Sequence, residues 1–276
     1  MPRLLLAALV LLAASARAQP VVTLSPAQAR PGDAFLVEVR GAAAPVEGTL
    51  LGRTLQFFPV PGGWRAVAAL PIEAPPGPQP LALGAGGQAL PAAVEVLAAD
   101  FPERRLRVAS RFVAPQPARV RRRIAADQKA FERAYDQEPS PPLFSGRFAL
   151  PRDDELNARY GERRTFNGKK PSRHYGLDIG GDLGAPVAAA QGGRVVLVRD
   201  CWGSGLSVVL FHGAGMFSSY FHLARVAVKE GAVVARGQLI GSVGRSGRVT
   251  GPHLHFGVKV GDLHVDPESV LRLPFD

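Results

Sequence analysis

Residues 247–257 read GRVTGPHLHFG: a Gly-Pro turn, then an apolar run that carries two histidines one residue apart, His253 and His255. On a β-strand, side chains at i and i+2 point to the same face. Both imidazoles then open into one space, and Leu254 and Phe256 face the other way. Two aligned imidazoles suit a metal site, a proton-transfer pair, or both. Such a pair also occurs on plain exposed strands, so the rest of the chain has to decide.

The histidines do not scatter. All six, His174, His212, His222, His253, His255 and His264, lie beyond residue 173. In SRHYGLDIGGDLGAPV, residues 172–187, His174 and Asp178 stand four apart among Gly176, Gly180, Gly181 and Gly184. Glycine disfavours a helix interior by up to about 1 kcal/mol each. On a straight strand the two would share a face but lie roughly 13 Å apart, too far for one metal. The chain must bend, and Gly176 is where it can. His and Asp are both zinc ligands. Alone, this spacing is common and says little.

The surrounding pattern is β. GGRVVLVRD and GLSVVLFHG are β-branched runs bounded by glycine, and MFSSYFHLARV, read as a strand, puts Tyr220 and His222 on one face. GAVVARGQLIGSVGRSG reads as short strands and tight turns. These features predict an antiparallel, glycine-punctuated β-domain with few helices.

Taken together, HYGLD, YFHL, GQLIGSVGRSGRVTGPHLHFGV and HVDP strongly resemble the LytM/lysostaphin-type zinc metallopeptidases of family M23, in the family's order. The resemblance runs from about Phe144 to about Leu273. ARYGERRTFNG, residues 158–168, also resembles the segment before the family's first ligand, although the lead-in DDELNARYG is less typical. The resemblance implies one zinc per chain on His174, Asp178 and His255, with His222 and His253 catalytic rather than coordinating. The opening pair would then divide its labour. His212, ending a strand before Gly213, is read as structural, lining the groove or backing the ligands. His264, before VDP, is read as a surface or packing residue.

The chemistry is coherent in its own terms. Two His and one Asp leave a tetrahedral zinc one open position, as a catalytic site needs. A water there becomes a nucleophile near neutral pH. No Glu lies in these motifs to act as general base, so histidine has to fill that role: of His222 and His253, one takes the proton and one stabilises the oxyanion. By resemblance the substrate is bacterial peptidoglycan. Cross-links between D-Ala and a diamino acid come first, and glycyl-glycine bridges second. The rival is a non-enzymatic LytM-like factor that binds and activates a cell-wall amidase; such proteins lose ligands, and here all five positions are filled.

MPRLLLAALVLLAASARAQP opens with Arg3, an apolar run from Leu4 to Ala14, and Ala16-Arg17-Ala18. It reads as a secretory signal peptide over residues 1–18, too short for a spanning helix. Export to the periplasm or beyond, at the cell wall, follows. The net charge of +10 favours anionic envelope polymers as partners, and export argues against nucleic acid. Cys201 is the single cysteine, so no intramolecular disulfide forms, and RDCWGSG reads as a strand end with a small buried hydrophobe.

Residues 19–98 predict an immunoglobulin-like β-sandwich accessory domain. AFLVEVR at 34–40 alternates apolar and polar residues, PGG at 61–63 turns between RTLQFFPV and WRAVAAL, and a Gly pair divides PLALGAGGQALPAAVEVL. Residues 99–143 predict a connector whose helix starts at Pro117, carries Val120, Ile124, Phe131 and Tyr135 at helical spacing, and stops before Pro141-Pro142. Residues 144–276 are the expected zinc peptidase domain.

Overall fold

The structure is a computed structural model and describes residues 19–275; the leader expected over 1–18 lies outside the described residues. It is mainly β.

The N-terminal part is two sheets packed face to face, antiparallel except where the short strand Gln28–Ala29 pairs parallel with Gln88–Val96. One sheet carries Val21–Ser25, Ala34–Arg40, Gly63–Ala69 and Phe57–Val60, and the other includes the long hairpin Gly77–Ala85 and Gln88–Val96. The hairpins fall where the turn chemistry puts them. Val60 pairs with Gly63 across Pro61-Gly62, and Ala85 pairs with Gln88 across Gly86-Gly87, both of which have positive φ.

The run AFLVEVR departs from its expected alternation. Phe35, Val37 and Val39 enter the core between the two sheets. Ala34 and Leu36, on the opposite face, join a second core with Val260, Val265 and Val270 of the C-terminal domain. The strand is buried on both sides because the domain behind it covers what would have been its solvent face. The junction is also hydrogen-bonded: Ala34 N–H donates to Ser269 Oγ at 2.9 Å, and Asp266 N–H to the Gly32 carbonyl at 2.7 Å.

The connector helix spans Ala118–Tyr135 and follows Pro117, in keeping with its apolar spacing. Its buried positions include a charge: Asp127 accepts from Arg199 Nε and from Trp202 N–H, each at 2.8 Å. That pair anchors the helix to strand Gly193–Cys201, where Cys201 is buried at the strand end.

The C-terminal sheet is antiparallel. Its spine runs Leu177–Ile179, Leu254–Val260, Met216–Val226, Gly205–Phe211 and Gly193–Cys201. Leu254 and Phe256 are fully buried on one face, as the period of two requires. The opposite face of the same residues holds the site.

Candidate metal centre and its cleft

His174 follows strand Lys170–Arg173, and Asp178 lies in the next strand, Leu177–Ile179. Between them the chain bends. A Cβ on Gly176 would stand 2.4 Å from the Phe256 carbonyl oxygen and 2.8 Å from His255 Nε2. Only glycine lets this backbone lie so close to the strand that carries His255. Asp178 pairs directly with His255 between these two strands.

The result is a tight donor set. His174 Nε2 lies 2.9 Å from Asp178 Oδ1 and 3.1 Å from His255 Nδ1, and His255 Nδ1 lies 2.9 Å from the same oxygen. His174 Nδ1 sits 2.7 Å from the Arg159 carbonyl, which can only accept. In neutral His174 the proton is therefore on Nδ1, and Nε2 turns its lone pair inward. Burial alone would raise the Asp178 carboxyl, yet its contacts with the His174 and His255 rings hold it well below the usual carboxylate range. Burial pushes the His255 ring down, towards the neutral form. The inward lone pair of His174 and the Asp178 anion repel one another unless a proton or a metal cation sits between them. Zinc bonds of about 2.0–2.1 Å at tetrahedral angles would place donors roughly 3.3 Å apart. The donor set therefore fits such an ion.

His222 reaches this face by a device that periodicity cannot show. Tyr220 pairs with Val208 and Leu223 with Leu206, so strand Met216–Val226 carries one extra residue there. His222 takes φ +65 at this bulge. A bulge re-aims a side chain. Tyr220 stays in the core, where its hydroxyl accepts from Ala190 N–H at 2.8 Å, while His222 turns to the cleft. The shared face expected for Tyr220 and His222 is thus corrected. The bulged backbone is satisfied, with His222 N–H donating to the Ser204 carbonyl at 2.9 Å.

His222 and His253 are held alike. His222 Nδ1 donates to the Ser246 carbonyl and His253 Nδ1 to the Gly251 carbonyl, each at 2.9 Å. Both neutral rings then keep a lone pair on Nε2. Their centroids lie 5.0 Å apart, and His253 Nε2 is 3.6 Å from Asp178 Oδ1. Burial, then the neighbouring His253 and His255, push His222 down to about 3.

The cleft around these five residues measures about 880 Å³. Ile124, Gln128 and Phe131 of the connector helix and Arg104 of the connector strand Glu103–Leu106 form part of its lining. Sequence reading missed two contributors. Arg164 Nη2 donates to Asp178 Oδ2 at 2.8 Å, leaving Oδ1 for the donor set, and is itself paired with Glu162. Phe221 stacks flat on His255, with centroids 5.4 Å apart and rings 6° from parallel. The charge-dense GERRTF is the only trace of the first in the sequence. His212 does not line the cleft. It is fully buried, between the Gly192 carbonyl and Ser218 Oγ, both 2.7 Å away. His264 does line it, stacked on Tyr175 at 5.2 Å.

Comparison with known proteins attaches a class to this geometry. Residues 172–267 match Peptidase family M23, so this part of the chain is an M23 peptidase domain. It is 43% identical over 88 residues to peptidoglycan DD-endopeptidase ShyA of Vibrio cholerae, a match covering 32% of this chain and 20% of ShyA. Similarity to DD-carboxypeptidase/endopeptidase Mpg of Neisseria meningitidis is 37% identity over 97 residues, covering 35% and 22%. The chain thus spans about a fifth of the length of these curated relatives. A Pseudomonas aeruginosa crystal structure assigned to peptidase M23 aligns over 87% of this chain and 94% of its own, at 28% identity and a TM-score of 0.66.

Proposed function

We propose that the protein is an exported zinc metalloendopeptidase that hydrolyses peptide cross-links or stems of bacterial peptidoglycan. The carrying observation is the His174, Asp178 and His255 donor set, whose atoms lie 2.9–3.1 Å apart, with two further imidazoles open to the same cleft. In this reading those three residues hold one zinc. Zinc supplies a Lewis acid that lowers the pKa of water towards about 7 and polarises a carbonyl. The protein supplies the rest. Asp178 is oriented by Arg164, which occupies its outer oxygen. His222 and His253 have Nδ1 tied to carbonyls, so each presents Nε2 for proton work. A neutral Nε2 accepts the proton of the attacking water. Once protonated, that N–H can donate to the oxygen that gains charge, or to the departing amine.

The substrate reading rests on the named activities of ShyA and Mpg, and export on the leader pattern of residues 1–18. Among the described residues, no helix is long and apolar enough to cross a membrane. Residues 144–276 would be the catalytic unit, 99–143 a connector that walls the cleft, and 19–98 an immunoglobulin-like accessory domain. The test is incubation of the zinc-loaded protein with purified cross-linked muropeptide dimers, read by mass spectrometry. Conversion of dimers to monomers is expected. Intact dimers with bound zinc would reject the enzyme reading and favour a binding factor.

A further inference from the structure

The cleft is rich in arginine, and most of these guanidinium groups have partners. Arg164 is committed to Asp178 and Glu162. Arg104 lies 3.6 Å from Glu162 and donates to the Asn157 carbonyl at 2.9 Å. Arg173 donates to the Gly161 carbonyl at 3.1 Å and lies over the Phe101 ring. Arg248 differs. Its carbon Cζ stands 4.6 Å from the Phe166 ring centroid, and among the described residues neither a carboxylate nor a carbonyl binds its guanidinium.

The position of Arg248 is fixed by its backbone. Arg248 N–H donates to the Gly203 carbonyl at 2.8 Å. Two residues earlier, the Ser246 carbonyl holds His222, and Ser246 Oγ accepts from Leu206 N–H at 2.9 Å. The loop whose Ser246 carbonyl holds His222 therefore also bears this cation, and its guanidinium carbon lies over the Phe166 ring. Stacking of that kind leaves the N–H edge open for a bidentate anion. Burial, with Arg164 nearby, disfavours the charge on Arg248, so an anion arriving there would relieve a standing cost.

We propose that Arg248 is the specificity residue of the cleft and binds a free carboxylate of the substrate next to the scissile amide. This rests on the peptidoglycan reading and narrows it. A cross-link made to a diamino dicarboxylic acid carries a carboxylate on the carbon that bears the scissile nitrogen. An oligoglycine bridge carries none there. The geometry thus favours the first bridge chemistry over the second, and it makes amidation of that carboxylate a means of protecting the cross-link.

The experiment uses the zinc-loaded full chain and two matched peptide dimers, one with the free carboxylate and one with its carboxamide. For the wild type, kcat/KM should fall at least about 10-fold on amidation, as losing a charge-assisted pair implies. Arg248→Gln should lose a similar factor on the acid dimer, change little on the amide dimer, and so bring the acid-to-amide ratio close to one. Arg248→Lys should give an intermediate ratio. Zinc content and melting temperature report whether each variant is folded, and if Arg248→Gln is not, Arg248→Lys decides. A wild type indifferent to amidation overturns the proposal. So does a folded Arg248→Gln, or failing that a folded Arg248→Lys, that keeps the wild-type ratio. Cleavage of neither dimer by zinc-loaded wild type instead rejects the peptidoglycan reading, and the proposal falls with it.

Discussion

Replacing Gly176 by alanine tests the architecture of the donor set directly. The added methyl would lie 2.4 Å from the Phe256 carbonyl oxygen and 2.8 Å from His255 Nε2. An ordinary contact needs about 3.4 Å or more. The neighbour is backbone in a central strand, so a rotamer change cannot relieve it, and the two strands must part by close to 1 Å. The same two strands carry Asp178 and His255 as a direct cross-strand pair. Metal ligand distances tolerate only about ±0.2 Å, so the donor set opens. Overpacking of this kind costs about 1–3 kcal/mol, which for a chain of this size lowers the melting temperature by roughly 2–4 °C per kcal/mol. Zinc affinity, measured by competition with a chromogenic chelator, should fall by at least about 10-fold. A Gly176→Ala protein that binds zinc as tightly as wild type and melts at the same temperature would refute the reasoning.

Other expectations follow from the same geometry. His222→Ala and His253→Ala should keep about one zinc while losing roughly 10²–10⁴-fold in hydrolysis, whereas His255→Ala should lose the metal; atomic absorption beside a dimer-cleavage assay separates the cases, and zinc retained by His255→Ala but lost by His253→Ala would reverse the assignment. Burial pushes His212 down to about 4, below the ordinary imidazole value of about 6.5. The folded state therefore keeps it neutral, and its stability contribution is full above pH about 6.5 and is lost as pH falls through about 4. Between pH 7 and 5 this loss is about 2 kcal/mol, and urea titrations of wild type against His212→Gln should show the variant lacking that part of the slope. Removing residues 19–98 uncovers the face that Ala34, Leu36 and Val67 share with Val260 and Val270, so the remaining fragment should melt below the full chain by calorimetry; an unchanged melting temperature would mean the shared core contributes nothing.

Much of this protein is written locally. The period of two puts His253 and His255 on one face and Leu254 and Phe256 on the other, because strand geometry leaves no alternative once the segment is β. The hairpins at Pro61-Gly62 and Gly86-Gly87, the helix after Pro117 and the strand end at Cys201 follow from turn and helix chemistry that acts over a few residues. The grouping of histidines beyond residue 173 and the bend at Gly176 were also legible. What local pattern could not decide is set by contacts between distant segments. A single extra residue at Phe221–His222 moves His222 out of the face of Tyr220, and it exists because strand Met216–Val226 has to match strand Gly205–Phe211. Ala34 and Leu36 are buried because a domain more than 200 residues further along the chain covers them. Arg164 reaches Asp178, and Arg248 reaches the Phe166 ring, only after the sheet has closed around the cleft. Periodicity reports which face a side chain takes; which partner waits on that face is a property of packing, and packing is not periodic.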